Sequence, residues 1–445
     1  MLSLIIAGLL LVTFPSRQSP AAVPADQKPH AAAVMAAIAA GDFSKVEAEF
    51  DDKMKAALPS GRFAAAWEAL SAQFGALRKC GDDVRVRNIA DKTMVITACL
   101  FERGTVDVQF AFDVENRISG YTFRPAAAAS VAYVAPSYVT ASVFTETDTT
   151  VGSGEWTLPG TLSLPNGPGP FPAVVLVAGS GPSDRDETVG PNKPFKDLAG
   201  GLASRGIAVL RYDKRTKVHA GKLAGVAFTV QQEVVDDVLE AVKMLRASPK
   251  IDRARVFVLG HSLGAMLVPR IAAMDPSVAG LVVMAGPARP LEEAIREQTR
   301  YFAMTDGAIS PAEQARIDEA GTLVAAVKAL TPADATNATL IFGAPASYWL
   351  DLRDYDPAAA AQAITRPMLV LQGERDYQVT MPEFEKWKTA LAGRANVVFH
   401  SYQALNHLFI AGTGPSVPSE YMTPGHVAEE VVVDIATWIK RGSGL

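Results

Sequence analysis

Two rhythms of apolar residues divide the chain. From His30 to about Leu77, apolar positions recur every third or fourth residue in AAAVMAAIAAGDFSKVEAEF and SGRFAAAWEALSAQFGAL, which predicts helices interrupted at Gly41 and Pro59. The period then drops to two. VRVRNIA, TMVITACLFE and VDVQFAFDVENRISGYTFRP alternate apolar with polar positions, as strands of a meander do, with ENRISG as a turn. Helices followed by an antiparallel sheet make a small α+β domain over residues 30–125, and the Ala-rich stretch 126–139 reads as a linker. Trp67, Phe110 and Phe112 would lie inside that domain, around a hydrophobic ligand held by a concave sheet; the other reading is a surface for dimerisation.

From residue 140 to 445 the pattern changes again. After a hairpin-like stretch, short β-branched runs (AVVLVAGSG, IAVLRYDKR, VFVLGHS, AGLVVMAGP, MLVLQGERD, NVVFHSY) alternate with helical segments such as FKDLAGGLASR and VQQEVVDDVLEAVKMLRAS. Alternation of this kind predicts βαβ crossovers, hence an α/β fold with a mostly parallel, doubly wound sheet. One segment breaks the rhythm. Residues 291–364, helix-like and loop-like, are too long for an ordinary connection and read as a helical cap over the carboxyl edge of the sheet, where such sheets bind ligands.

Composition adds limits. With 49% hydrophobic and 20% charged residues and a net charge of -5, the chain of 445 residues is neither disordered nor basic, and no nucleic-acid partner is expected. The apolar run Leu2–Phe14 is too short to span a bilayer but has the length of a secretory signal core, with small residues at Val23 and Ala25 for cleavage. Residues 1–25 are therefore expected to be a signal peptide directing a periplasmic or secreted protein, the alternative being an uncleaved N-terminal anchor. Export would let Cys80 and Cys99 persist as a disulfide, though two buried thiols fit the sequence equally well.

The chemistry centres on VFVLGHSLGAMLVPRIAAM. Gly260-His261-Ser262-Leu263-Gly264 has the GxSxG form between a strand and a helix, so the turn would hold the Ser262 hydroxyl up at the sheet edge, with Gly260 and Gly264 allowing the chain to pass closely. The Leu263 amide would face an oxyanion, and the Ser180 amide in the loop after AVVLVAGSG is expected to supply the second donor. A serine needs a base. Of the six histidines, His407 in YQALNHLFI falls in a loop after the last strand. His261 is expected to point away, His400 to lie in a strand, His219 in a loop, and His426 to cap or decorate the surface. Asp376, just after the strand MLVLQG, gives the order Ser, acid, His, while Glu374 would pair with Arg375 on the surface. Asp351, Asp354 and Asp356 are weaker candidates for the acid. Asp184, Arg185, Asp186, Arg211, Asp213 and Arg215 would either pin the oxyanion loop or touch substrate. No metal or cofactor is expected, since no histidine or cysteine joins these carboxylates at ligand spacing.

These residues carry a resemblance. LVAGSGPSDRDE, KPFKDLAGGLASRGIAVLRYDKRT, VVDDVLEAVKMLR, VFVLGHSLGAMLVPRIA and GLVVMAGPARPLEEAIREQ resemble the bacterial α/β-hydrolase esterases related to the prolyl oligopeptidase and dienelactone hydrolase branches, over about residues 140–445. The segment before them is similar to a small α+β domain that often precedes such hydrolases. Ala265 departs from relatives that carry glycine there, a change a helix accepts. The resemblance implies a serine carboxylesterase acting on small to medium esters through an acyl-serine, with Ser262, Asp376 and His407 as the triad. Tyr348 and Trp349, with Phe342, would shape a pocket from the cap. A peptidase or amidase of the prolyl oligopeptidase-like branch is the alternative, and a non-catalytic binding protein on a hydrolase scaffold is a further one.

Overall fold

The computed structural model describes residues 28–58, 60–89, 92–102, 104–125, 133–305, 307–337 and 339–441. The expected signal peptide, residues 1–25, and most of the linker, 126–132, lie outside the described residues. Two compact units divide between Ala132 and Tyr133.

The first unit begins with four helices: α1 Lys28–Ala39, α2 Phe43–Ala48, α3 Asp52–Ala57 and α4 Arg62–Phe74. Asp42 and Asp51 cap α2 and α3 by accepting from the Lys45 and Met54 amides, which satisfies donors a helix leaves open at its start. An antiparallel meander follows, β1 Leu77–Ile89, β2 Lys92–Phe101, β3 Gly104–Phe112 and β4 Ile118–Pro125, in that spatial order. Trp67, Phe110 and Phe112 do not surround a ligand space. They are buried among Phe63, Phe101 and Phe123, with Trp67 ring centroids 5.6 Å from Phe101 and 5.5 Å from Phe123, so the aromatic side chains fill the interior themselves. Cys80 and Cys99 sit opposite each other across β1 and β2 and form a disulfide.

The second unit is built on an eight-stranded sheet, with strands β5 Phe144–Val151, β6 Leu158–Pro165, β7 Phe171–Val177, β8 Ala208–Tyr212, β9 Ile251–His261 and β10 Leu281–Met284. The two-residue strands β11 Leu340–Ile341 and β12 Ala344–Pro345 form a separate ribbon, and β13 Met368–Gly373 and β14 Val397–Tyr402 complete the main sheet. The order is β14-β13-β10-β9-β7-β8-β6-β5. It is parallel from β14 to β8 and antiparallel at β6 and β5.

Helices α5 Pro194–Ala203, α6 Arg215–Val218, α7 Ala220–Leu223, α8 Asp236–Ala247 and α9 Leu263–Met274 precede the insertion, which holds α10 Leu291–Ala303, α11 Pro311–Ala329, α12 Ala346–Leu352 and α13 Pro357–Gln362. The chain closes with α14 Met381–Ala390 and α15 Glu429–Arg441. Side chains alternate across a strand, so Val174, Leu176, Phe257, Leu259, Val282 and Met284 share one face with Leu198 and Leu202 of α5 and Val431, Val432 and Ile435 of α15. The alternate set faces α8 and α9, which pack on β7, β9 and β10. Central strands buried on both faces explain the unbroken apolar runs in the sequence.

Two boundaries differ from the sequence reading. Residues 133–139 are not free linker: Tyr133 donates to Asp197 at 2.8 Å and Tyr138 to the Val427 carbonyl at 2.7 Å, so they belong to the second unit. The expected cap, 291–364, also ends early, because α13 packs on α9 and α14 and so joins the helical layer of the sheet. The rest of the insertion is tied to α9 through Arg270 and Asp351, 2.7 Å apart, and through the Tyr355 hydroxyl donating to the Met266 carbonyl at 2.9 Å. Among the described residues, no helix is long and apolar enough to cross a membrane.

Candidate active site

The turn between β9 and α9 puts Ser262 at φ 54° and ψ -120°, a left-handed backbone that a residue with a β-carbon adopts only when its surroundings enforce it. The enforcement is visible on both sides. A β-carbon on Gly260 would lie 2.3 Å from the Gly264 carbonyl oxygen, and one on Gly264 would lie 2.1 Å from that of Val177. No side chain fits at either place. The Ser262 amide donates to the Met284 carbonyl at 3.0 Å, tying the elbow to the end of β10. Leu263 then opens α9, whose first-turn amides have no acceptor within the helix.

The segment after β7 runs directly against the serine. A β-carbon on Gly179 would come 3.1 Å from that of Ser262, so the Ser180 loop and the elbow share one small space. Gly179 is held at both ends: its amide donates to Glu187 Oε1 at 2.6 Å, and its carbonyl accepts from Lys214 Nζ at 2.9 Å. Lys214 also lies 3.2 Å from Glu233, which accepts from the Thr216 and Tyr348 hydroxyls at 2.8 and 3.1 Å.

Asp376 follows β13 and His407 follows β14, and both side chains are buried. His407 Nδ1 donates to Asp376 Oδ2 at 2.6 Å, while Asp376 Oδ1 accepts the Gln378 and Val379 amides at 2.7 and 2.9 Å. The carboxylate is thus fixed before it fixes the imidazole. The other ring nitrogen, Nε2, is buried without a hydrogen-bond partner, and the ring lies 4.6 Å from that of His261, the residue next to Ser262. Burial holds the His407 imidazole below the ordinary histidine range, with Asp376 opposing that pull and His261 adding to it. A neutral ring with Nδ1 protonated leaves Nε2 free to take a proton, which is the state a general base needs.

The remaining histidines are engaged elsewhere. His30 faces Glu49, His219 Nε2 donates to the Thr157 carbonyl and its ring packs on Trp156, His400 lies in β14 beside Asp434, and His426 pairs with Asp197. His261 does not point away as expected. It is buried, its Nε2 donates to the His407 carbonyl at 2.8 Å, and its Nδ1 is 3.0 Å from Glu187 Oε2, a charge contact without the angle of a directed hydrogen bond. Glu374 does not pair with Arg375 either. It accepts from Ser401, and Arg375 reaches Glu420 and the Gly414 carbonyl, bracing the His407 loop. Asp351 is used by Arg270 and Asp356 caps α13, which gives both a structural account.

The polar residues around the Ser180 loop mostly hold one another. Arg185 binds Asp213 and the Gly160 carbonyl, Arg211 binds Asp186 and Glu146, Arg215 binds Asp237, and Asp184 accepts the Asp186 and Thr188 amides. That favours pinning over substrate contact. Beside them is a cavity of about 190 Å³, lined among others by Trp156, Arg215, Phe228 and Glu233. Tyr348 and Trp349 are buried and are not among the residues that line this cavity. Tyr348 packs edge-on against Phe228, and Trp349 donates to the Ile341 carbonyl. Sequence reading passed over Glu187, Lys214 and Glu233, whose partners come from distant loops and leave no local pattern.

Comparison with known proteins follows the same division of the chain. Residues 192–412 match the family described as serine aminopeptidase, S33, and residues 31–121 match a family described as a protein of unknown function, DUF3887. Esterase EstD of Thermotoga maritima is 42% identical over 390 residues, 88% of this chain and 90% of that protein. Among solved structures, an esterase of Pyrococcus furiosus is 16% identical, covering 68% of this chain and 92% of that one with a TM-score of 0.43. An esterase of Pyrobaculum calidifontis is 18% identical, covering 67% and 85%, also with a TM-score of 0.43. By its likeness to Esterase EstD along nearly its whole length, the chain belongs to the α/β-hydrolase serine esterases, enzymes that hydrolyse carboxylic esters.

Proposed function

We propose that this chain hydrolyses small to medium carboxylic esters by forming and then breaking an ester on Ser262. His407 Nε2 removes the proton as the Ser262 oxygen adds to the substrate carbonyl, and the amides of Leu263 and Ser180 hold the resulting oxyanion. His407 returns the proton to the departing alcohol, and a water activated the same way releases the acid. Asp376 keeps the proton of His407 on Nδ1 throughout and offsets the charge of the imidazolium. The observation that carries this reading is the buried His407–Asp376 pair, whose Nε2 has no partner and whose ring lies 4.6 Å from that of His261, the neighbour of Ser262.

The test is chemical. A fluorophosphonate is expected to add once per chain, with the modified peptide containing Ser262, and to block hydrolysis of p-nitrophenyl acetate and butyrate. Because burial lowers the His407 pKa, the acid limb of kcat/KM should fall below the ordinary histidine value of about 6.5. Label elsewhere, or undiminished activity after stoichiometric labelling, would refute the assignment. The aminopeptidase in the description of the matched family makes amides the relevant comparison. A matched ester and anilide should differ strongly in favour of the ester, and equal rates would move the chain to the amidase side.

We also infer export. The apolar run at Leu2–Phe14 and the disulfide between Cys80 and Cys99 support it, since such bridges persist in oxidising compartments. N-terminal sequencing of protein recovered outside the cytoplasm is expected to begin near Asp26. Recovery in the cytoplasm with Met1 retained would contradict it.

A further inference from the structure

His261 sits between two oxygen acceptors. On one side its Nε2 donates to the carbonyl of His407; on the other its Nδ1 lies 3.0 Å from Glu187 Oε2. A neutral imidazole has one N–H, and would leave a lone pair pressed against either a carbonyl or a carboxylate. Only the imidazolium avoids both, donating to the carbonyl and setting its second N–H against the carboxylate as a charge contact. Glu187, fully enclosed, supplies the countercharge, and its other oxygen holds the Gly179 amide of the oxyanion loop at 2.6 Å. Glu187 itself stands at φ 51°, a left-handed backbone for a residue with a β-carbon. Three loops meet in this pair: the segment after β7, the elbow after β9 and the base loop after β14.

We propose that Glu187 and His261 are positioning residues, a buried ion pair that locks the oxyanion loop, the elbow and the His407 loop into one unit and sets a positive charge against the His407 ring. The proposal rests on the serine-hydrolase reading above. The pair is a poor choice if stability alone mattered, because a buried ion pair contributes little net and is often matched by apolar packing. Its value lies in geometry and field. Donation from the His261 ring to the His407 main-chain carbonyl fixes where the imidazole stands, and the adjacent charge disfavours a second positive ring, keeping the base unprotonated.

The groups facing each ring define the expected signs. Around His261 these are Glu187 and His407; around His407 they are Asp376 and His261. Burial alone would lower His261, but Glu187 and the His407 carbonyl raise it above the ordinary value. Burial alone would likewise raise Glu187, yet His261 and the Gly179 amide bring it below the usual carboxylate range. Both directions agree with a charged pair.

Two variants remove the charge and keep the shape. His261→Gln retains an N–H for the His407 carbonyl, and Glu187→Gln retains an oxygen for the Gly179 amide. Each should shift the acid limb of kcat/KM upward by about 0.6 to 2.4 pH units, the range for a unit charge near 5 Å between the dielectric constant of water and an effective value of about 20. Each should lower kcat by about tenfold with KM nearly constant. A residue that only fills space would leave the limb where it is, so an unmoved or downward-shifted limb in both variants overturns the proposal. Should either variant fold poorly, histidine-selective ¹⁵N spectra of the wild-type protein decide the matter. His261 is expected to carry protons on both nitrogens at pH 7, and a neutral His261 overturns it. Fluorophosphonate labelling of wild type separates the layers: no label at Ser262 removes the underlying reading, whereas labelled Ser262 with an unmoved limb removes only this pair.

Discussion

Ser262→Ala is expected to lower kcat on p-nitrophenyl butyrate by about 10⁵–10⁶, with KM within a few-fold of wild type. The substitution deletes one oxygen and little else. Alanine keeps the β-carbon that packs near Gly179, and the turn at φ 54° is enforced by Gly260 and Gly264, so the elbow should survive. Residual turnover of about 10³–10⁴ over water would come from the amides of Leu263 and Ser180 and from binding. A variant that retained even a tenth of the wild-type rate, with its thermal unfolding unchanged, would mean that the nucleophile lies elsewhere.

The second large effect is expected at Asp376. Replacing it by asparagine preserves size and one oxygen, so the Gln378 and Val379 amides keep an acceptor. What changes is the group facing His407 Nδ1. An asparagine amide turned that way donates, which moves the imidazole proton to Nε2 and leaves the base without a lone pair for Ser262. A loss of about 10⁴ in kcat follows. The acid limb should also move down, since the carboxylate that opposes the effect of burial on His407 is gone. That direction is opposite to the one expected for Glu187→Gln and His261→Gln, so a pH profile distinguishes the two partners of the ring. Loss of less than tenfold would show that another acid serves His407.

What could be read in the sequence, and what could not, follows from the range of the interactions. The strand, turn and helix around Ser262 are local: β-branched residues, two glycines and a helical period within about twenty positions. The place of Asp376 and His407 after successive strands follows from chain order. Their meeting is then a consequence of β13 and β14 being neighbours in the sheet. His261 was misread for the converse reason. Nothing near it in sequence announces Glu187, 74 positions earlier by numbering, or the carbonyl of a loop 146 residues later. The cysteine pair stayed open because only the β1–β2 register places Cys80 opposite Cys99. Tyr133 and Tyr138 looked like linker residues because their partners, Asp197 and the Val427 carbonyl, are likewise remote.

The strut formed by Lys214 and Glu233 has a bearing on redesign. Tyr348, in the inserted segment, donates a hydrogen bond from its hydroxyl to Glu233; Glu233 steadies the Lys214 ammonium; and that ammonium grips the carbonyl next to Ser180. Exchanging the insertion for a relative's, in order to admit bulkier acids or alcohols, would therefore strip a support from the Gly179–Ser180 loop, which is proposed to hold the oxyanion. A graft that carries a phenol at the same spot is expected to keep that support, and one that omits it to loosen the loop.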